Sequence, residues 1–267
     1  MPNLRCNAIA GVLIGIFLAS AAQAADLSVN ELMDVNFHVM KVKALITDQQ
    51  MILENDKGQQ RVRNMTTYSK LRPSGTELNL VVKFNLPADV QGTTFLQLQH
   101  ADDDDDMWIY LPALKKTRRL VSANKRDSFV GSDFSYGDVL TLSPKLFQHL
   151  LVGSEVYDNV DCFVVESVPN DRSKTDDFGY AKKVTWLRKD NYLEVKVEYF
   201  NDRNQRIKTQ TTGDHKILQA QPPRWIAMKR EMVNHENGHK TTVLVGKTDT
   251  EKELADNLFT VRSIEMK

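Results

Sequence analysis

From residue 48 onward, hydrophobic and polar positions alternate with a period of two over most of the chain. The stretch "TELNLVVKFNLP" is the clearest case: Leu78, Leu80, Val82, Phe84 and Leu86 share one side, and Glu77, Asn79, Lys83 and Asn85 the other. Alternation of this kind predicts strands with one buried face. The pattern recurs in "QQMILEN", "QQRVRNMTTYSK", "TTFLQLQH", "MWIYLP", "KKTRRLV", "DCFVVESV", "AKKVTWLRK", "LEVKVEYF", "QRIKTQTTG" and "HKILQ". Turn residues such as Lys57-Gly58, Pro73-Ser74-Gly75, Asp190-Asn191 and Asn201-Asp202 separate the runs. Connections this short join antiparallel neighbours, because parallel strands need long crossovers, so about ten or eleven strands in a meander are expected. An open twisted sheet of that size curls or closes. The predicted fold class is therefore mainly β. It is a single strongly curved antiparallel sheet, an incomplete barrel, with a few short helices covering the open side.

Two regions break the period. Ser28 and Glu31 fit a capping box, and Leu32, Met33, Asn36, Phe37 and Met40 follow at helical spacing, which predicts a helix packed on the sheet. Residues 122–153 hold a polar loop, then Phe129, Phe134 and Tyr136, then an expected short helix over 144–151. An insertion of roughly thirty residues in a meander usually serves as a lid or binding loop.

The stretch "MVNHENGHKTTV" contains His235-Glu236-Asn237-Gly238-His239, which spells the H-E-x-x-H signature of zinc proteases. That motif needs a helix to bring both imidazoles to one metal. Upstream, Ile226, Met228, Arg230 and Met232 alternate with Trp225, Ala227, Lys229 and Glu231; downstream, Thr241, Val243 and Val245 alternate as well. Between these strands, Asn237-Gly238 is a hairpin signal of the type I′ kind. The reading is a coincidental motif at a hairpin tip, with an adventitious metal site at that tip as the alternative.

The ends bear on location. Arg5, the apolar run "AIAGVLIGIFLAS" and Ala22-Gln23-Ala24 have the form of an export signal, so cleavage after Ala24 is expected. Residues 25–267 then form one domain. Cys6 precedes the apolar run and cannot anchor a lipid after it, and Cys162 is expected as a buried small hydrophobe between Val160 and Val164. Thirty-five basic residues balance 35 acidic ones, which removes the case for a nucleic-acid partner.

Residues 102–106 are five aspartates. A calcium loop starting there would need glycine and glutamate where Met107 and Ala113 stand, so a solvated turn is expected, with loose divalent-ion binding as the other reading. In "KKTRR", Arg118 and Arg119 must point to opposite faces of any strand. One of them then points inward, where Asp133 or Asp138 is the expected partner. The run reads either as a docking patch or as charge on an outer face. No nucleophile elbow, phosphate loop, paired-cysteine metal site or dinucleotide fingerprint is present, so no catalytic residue, metal or cofactor is assigned.

Residues 106–139 carry a denser signal. Trp108, Tyr110, Pro112, Lys115, Arg118 and Arg119, followed by Ser128, Phe129, Gly131, Ser132, Asp133, Phe134, Tyr136 and Asp138, match W-x-Y-x-P-x-x-[KR]-x-x-R-R and S-F-x-G-S-D-F-x-Y-x-D. This pattern resembles the periplasmic outer-membrane lipoprotein-sorting family, relatives of the LolA carriers. The resemblance implies a LolA-like half-barrel enclosing an apolar cavity, soluble in the periplasm. It also implies an acyl chain of a lipid or lipoprotein as ligand, an inner-membrane exporter of the resistance-nodulation-division (RND) type as partner and transient membrane contact; with no catalytic constellation in the sequence, no enzymatic activity is expected. The expected cavity residues are Leu80, Val82, Phe84, Leu96 and Leu98 on the concave face, with Trp108, Tyr110, Phe129 and Phe134 near the mouth. Arg118, Arg119, Asp133, Tyr136 and Asp138 are the expected lid or partner contacts. The rival readings are a lipid sensor or adaptor of an envelope complex without transfer activity, and an enzyme on the same scaffold.

Overall fold

Ser28 and Glu31 start the first helix reciprocally. The Ser28 amide and hydroxyl donate to the Glu31 carboxylate at 2.8 and 2.6 Å, and the Glu31 amide donates back to the hydroxyl at 3.3 Å. This capping box satisfies amides that a helix start leaves open. It begins α1 (Val29–His38), as the spacing predicts. The computed structural model describes residues 27–100, 103–171 and 175–265, so the expected export signal lies outside the described residues.

Thirteen strands follow in one antiparallel sheet. The first six are β1 (Ala44–Glu54), β2 (Gln60–Leu71), β3 (Leu78–Leu86), β4 (Thr94–Leu98), β5 (Asp106–Leu111) and β6 (Lys116–Leu120). Residues 121–146 then cross to the far side. There the chain resumes as β7 (Phe147–Tyr157), β8 (Val160–Pro169), β9 (Lys182–Arg188), β10 (Glu194–Phe200), β11 (Arg206–Gln219), β12 (Arg224–Asn234) and β13 (Lys240–Asp249). The order is β6-β5-β4-β3-β2-β1-β13-β12-β11-β10-β9-β8-β7, so β13 returns to pair with β1, and β6 and β7 remain as edges. The sheet is strongly extended but not closed into a barrel, in agreement with the predicted class.

Three local expectations need correction. The expected helix over 144–151 is a single 3-10 turn, Pro144–Leu146, running straight into β7. Leu150, Leu151, Val152 and Val156 are exposed along this edge strand, and the register shifts between Leu151 and Gly153, so no alternation marks it. The runs "QRIKTQTTG" and "HKILQ" are one strand, β11. The β12–β13 connection is a five-residue loop rather than a two-residue type I′ turn: Gly238 has φ +72°, Asn237 has no positive φ, and the Gly238 amide donates to the Asn234 carbonyl at 3.0 Å. His235 and His239 thus sit in a turn, without the helical face the protease motif needs.

The alternation sorts the core into two layers. On the inner face, Val82, Phe84, Phe95, Met107 and Ile109 pack against Phe129, Phe134 and Tyr136 of the 121–146 crossover. The crossover therefore fills much of the hollow of the curved sheet. On the outer face, Val81 and Leu96 are covered by Leu254, Phe259 and Ile264 of the C-terminal segment, which ends in α4 (Val261–Glu265) over β4 and β5. At the other end of the hollow, Leu32 and Met33 of α1 pack on Val165 and Leu187. Cys162 is fully buried, as expected of a small hydrophobe.

Candidate functional site

The crossover leaves a cavity of about 210 Å³ against the inner face. Leu80 and Val82 of β3, Met51 of β1, Met65 of β2 and Val243 of β13 form its floor. Phe129, Phe134 and Val139 of the crossover form its roof, and Phe37, Met40 and Lys41 close one end. Met40 is 40% exposed, so this end reaches the surface. The lining is mostly apolar, with a band of Gln49, Thr67, Ser69, Gln97 and Gln99.

That polar band is already bonded where it is most buried. Gln97 donates to the Asp105 carboxylate at 2.7 Å, and Gln99 donates to the Thr141 carbonyl at 2.6 Å while accepting from the Leu78 amide at 2.8 Å. Burial pushes the Asp105 carboxyl above the usual carboxylate range. The 102–106 run is therefore not simply a solvated turn. Asp104 pairs with Lys125 at 3.1 Å and Asp106 with Arg119 at 2.6 Å, while Asp102 lies outside the described residues. Lys41 is buried at the cavity end; its ammonium donates to the Thr76 carbonyl and stands 3.2 Å from the Phe37 ring centroid. Burial pushes this lysine down to about 7.

The crossover is tied down by polar contacts as well as by its rings. Phe129 meets Phe95 and Tyr136 edge-on at 5.6 and 5.3 Å. Arg63 of β2 donates to the Val130 carbonyl. Lys208 of β11 pairs with Asp138 at 2.6 Å, and Arg230 of β12 donates to the Asp138 carbonyl at 3.3 Å. Thr241 of β13 binds Asp133. Val130 and Gly131 take left-handed φ values of +50° and +75°, which turns the chain so that Phe129 and Phe134 both face the sheet.

The expected site residues separate into distinct groups. Leu80, Val82, Phe129 and Phe134 line the cavity. Phe84 is on the same face, fully buried beside Phe129 at a ring distance of 5.9 Å, but does not line the cavity. Leu96, Leu98, Trp108 and Tyr110 are on the opposite face, under the C-terminal segment, so their expected place in the cavity or at its mouth is corrected. Strand pairing shows why: Leu80 stands opposite Gln97 and Val82 opposite Phe95, which sends the leucines of β4 outward. Arg118 and Arg119 are both exposed on the β6 edge, and neither reaches Asp133 or Asp138, contrary to expectation. Tyr136 is buried in the crossover, and burial pushes its phenol up to about 12.

Sequence reasoning missed Lys41, Arg63, Lys208, Arg230 and Thr241 as contributors. One signal was present: Arg230 shares the apolar side of its strand with Ile226, Met228 and Met232. A charge in such a row needs an interior partner.

A family model described only as an uncharacterized protein matches residues 77–266. No curated protein matches the sequence. Among solved structures, one described as an outer membrane lipoprotein-sorting protein domain from Vibrio parahaemolyticus is 30% identical, covers 89% of this chain and 98% of its own, and superposes with a TM-score of 0.81. A DUF1329 family protein from Desulfovibrio piger is 26% identical over 88% of this chain and 97% of its own, also with a TM-score of 0.81. A LolA superfamily protein from Nitrosomonas europaea, at 17% identity and a TM-score of 0.68, covers 88% of this chain and 99% of its own, and shares the fold. Among the described residues, no helix is long and apolar enough to cross a membrane.

Proposed function

The chain belongs to the outer membrane lipoprotein-sorting protein family, and on that premise we propose that it is a periplasmic carrier for an acyl chain of a lipid or lipoprotein. The observation that carries this reading is the cavity of about 210 Å³ between the sheet and the crossover, floored by aliphatic side chains and roofed by phenylalanines. Each methylene moved from water into such a site is stabilised by about 0.8 kcal/mol. Apolar cavities of about 150 Å³ take up benzene, so this one accepts a short run of methylenes as it stands. A longer chain needs the crossover to give way, which assigns residues 121–146 the part of a movable cover. The reading involves binding and release with no bond made or broken.

In this reading the cargo moves between inner and outer membrane. An RND-type exporter is the proposed donor, on the strength of the sequence resemblance alone. Two measurements test the proposal. Native mass spectrometry of the exported protein should show an acyl-bearing adduct, and the protein should speed movement of a fluorescent acyl lipid from donor to acceptor vesicles. Failure to hold any acyl ligand refutes carriage. Binding without accelerated transfer refutes the carrier in favour of a sensor or adaptor.

A further inference from the structure

Beside the apolar cavity lies a second, smaller chamber of about 130 Å³. Phe37, Met40, Val139, Thr141 and Arg230 line both, so the two spaces share a wall. Their chemistry differs. The second chamber is bordered by Lys183, Arg230, Glu194 and Asp138.

Its carboxylates are already engaged. Asp138 accepts from the Lys208 ammonium at 2.6 Å and from the Ser135 amide at 2.7 Å. Glu194 accepts from the Gln210 side chain at 2.7 Å. The cations of the lining are not matched in this way. Lys183 lies on the inner face of β9, opposite Tyr199 of β10. Its ammonium faces the Phe147 ring at 4.9 Å, and among the described residues it forms no ion pair and donates no hydrogen bond. Arg230 donates to the Asp138 carbonyl at 3.3 Å and the Gln210 side chain at 3.0 Å and stands over Phe134 at 5.4 Å, again with no carboxylate partner among the described residues. Among the described residues, Lys208, Lys183 and Arg230 thus face two carboxylates, Asp138 and Glu194. The Lys183 and Arg230 side chains are half-buried, and a cation drawn partly out of water without a full counter-charge is costly, a cost that an incoming anion lowers. Burial already holds the Lys183 ammonium below the usual lysine range.

We propose that this chamber seats the oxyanion head of a single-chain amphiphile, with Arg230 and Lys183 as its ligands and the hydrocarbon tail in the adjoining apolar cavity. The proposal rests on reading that cavity as an acyl-chain site. It points to cargo with a compact anionic end, a carboxylate or a phosphate, which matches a space of about 130 Å³.

Calorimetric titration of the exported protein with four ten-carbon ligands below their micellar concentrations tests it: decanoate, decyl phosphate, decanol and decyltrimethylammonium. Decanoate or decyl phosphate should bind roughly tenfold or more tighter than decanol, as charge-assisted hydrogen bonds require. The tighter of the two anions identifies the head as carboxylate or phosphate. Lys183→Met should erase most of that preference while keeping decanol affinity, and Arg230→Met, at a residue that lines both spaces, should erase most of the preference as well. Equal affinity of decanoate, decyl phosphate and decanol for the unaltered protein overturns the head-group site and leaves acyl carriage standing. Absence of binding by all four overturns both. An anion preference that survives both substitutions overturns the assignment to these two residues. Should a variant fail to fold, the comparison of ligands on the unaltered protein still decides.

Discussion

Asp133 and Thr241 are joined twice: the Thr241 hydroxyl donates to the Asp133 carboxylate at 2.7 Å, and the Asp133 amide donates to that same hydroxyl at 3.0 Å. One residue sits in the crossover and the other in β13, the strand that closes the meander against β1. Thr241 is fully buried, so water cannot replace what it supplies. Thr241→Val keeps the shape and removes both bonds. It should lower stability to denaturant by about 1–3 kcal/mol, the cost of leaving a buried donor and acceptor unmatched. Hydrogen exchange should rise at residues 129–134 before it rises in β13. Unchanged exchange there would mean that the aromatic packing alone holds the crossover.

Lys208 and Asp138 make the second tie, with side chains 13% and 2% exposed. Lys208→Met leaves the Asp138 charge buried with only neutral donors. The expected loss is about 3–5 kcal/mol, since breaking one side of a buried pair costs more than the pair contributes. Adding Asp138→Asn to that variant should recover a good part of it, and the double-mutant cycle measures the coupling. If Lys208→Met alone costs under about 1 kcal/mol, the pair is solvated in solution and does not fasten the crossover.

The two faces of β3 and β4 make separable predictions. Leu80 lines the cavity, whereas Leu98 packs on the outer cluster. Leu80→Trp fills the space and should reduce uptake of a fluorescent acyl probe by tenfold or more, corresponding to about 1.4 kcal/mol or more. Leu98→Trp should leave uptake unchanged at a stability cost of about 1–3 kcal/mol from overpacking. The opposite result would put the ligand on the outer face and reinstate Leu96, Leu98, Trp108 and Tyr110 as its lining.

Much of this architecture is legible in the order of residues, and the exceptions have physical causes. The period of two with short turns gives the meander, and Ser28 with Glu31 gives the helix start, because both signals are local. The facing of β4 is different. Gln97 and Gln99 look solvent-exposed beside Leu96 and Leu98, yet both glutamines point inward to partners supplied by residues 105 and 141. Leu96 is buried and Leu98 half-buried as well, because the C-terminal segment covers the outer face. A strand buried on both sides loses its polarity signal, and only the distant Leu254, Phe259 and Ile264 hint at the cover. The β7 edge escapes notice for the opposite reason, since its exposed Leu150, Leu151 and Val152 break the alternation. The aromatic cluster of the crossover is visible in sequence, but its fasteners come from β2, β11, β12 and β13, separated from it by tens of residues.

Lys41 gives a prediction about pH. Its side chain is buried at the cavity end, and burial pushes the ammonium from the ordinary lysine value down to about 7. Between pH 7 and about 10.4 the unfolded chain therefore holds a proton at this position that the folded protein has released. Stability rises with pH wherever the unfolded state binds more protons. This group alone thus adds an upward slope that approaches about 1.4 kcal/mol per pH unit in that window. Below pH 7 both states are protonated and its contribution is flat. Lys41→Met removes the titration, so the difference in unfolding free energy between the two proteins isolates it from every other group. The variant should be the more stable protein at pH 7, with its advantage shrinking as pH climbs toward 10. Parallel stability curves across that range would show that Lys41 keeps its charge when folded, held by the Thr76 carbonyl and the face of Phe37.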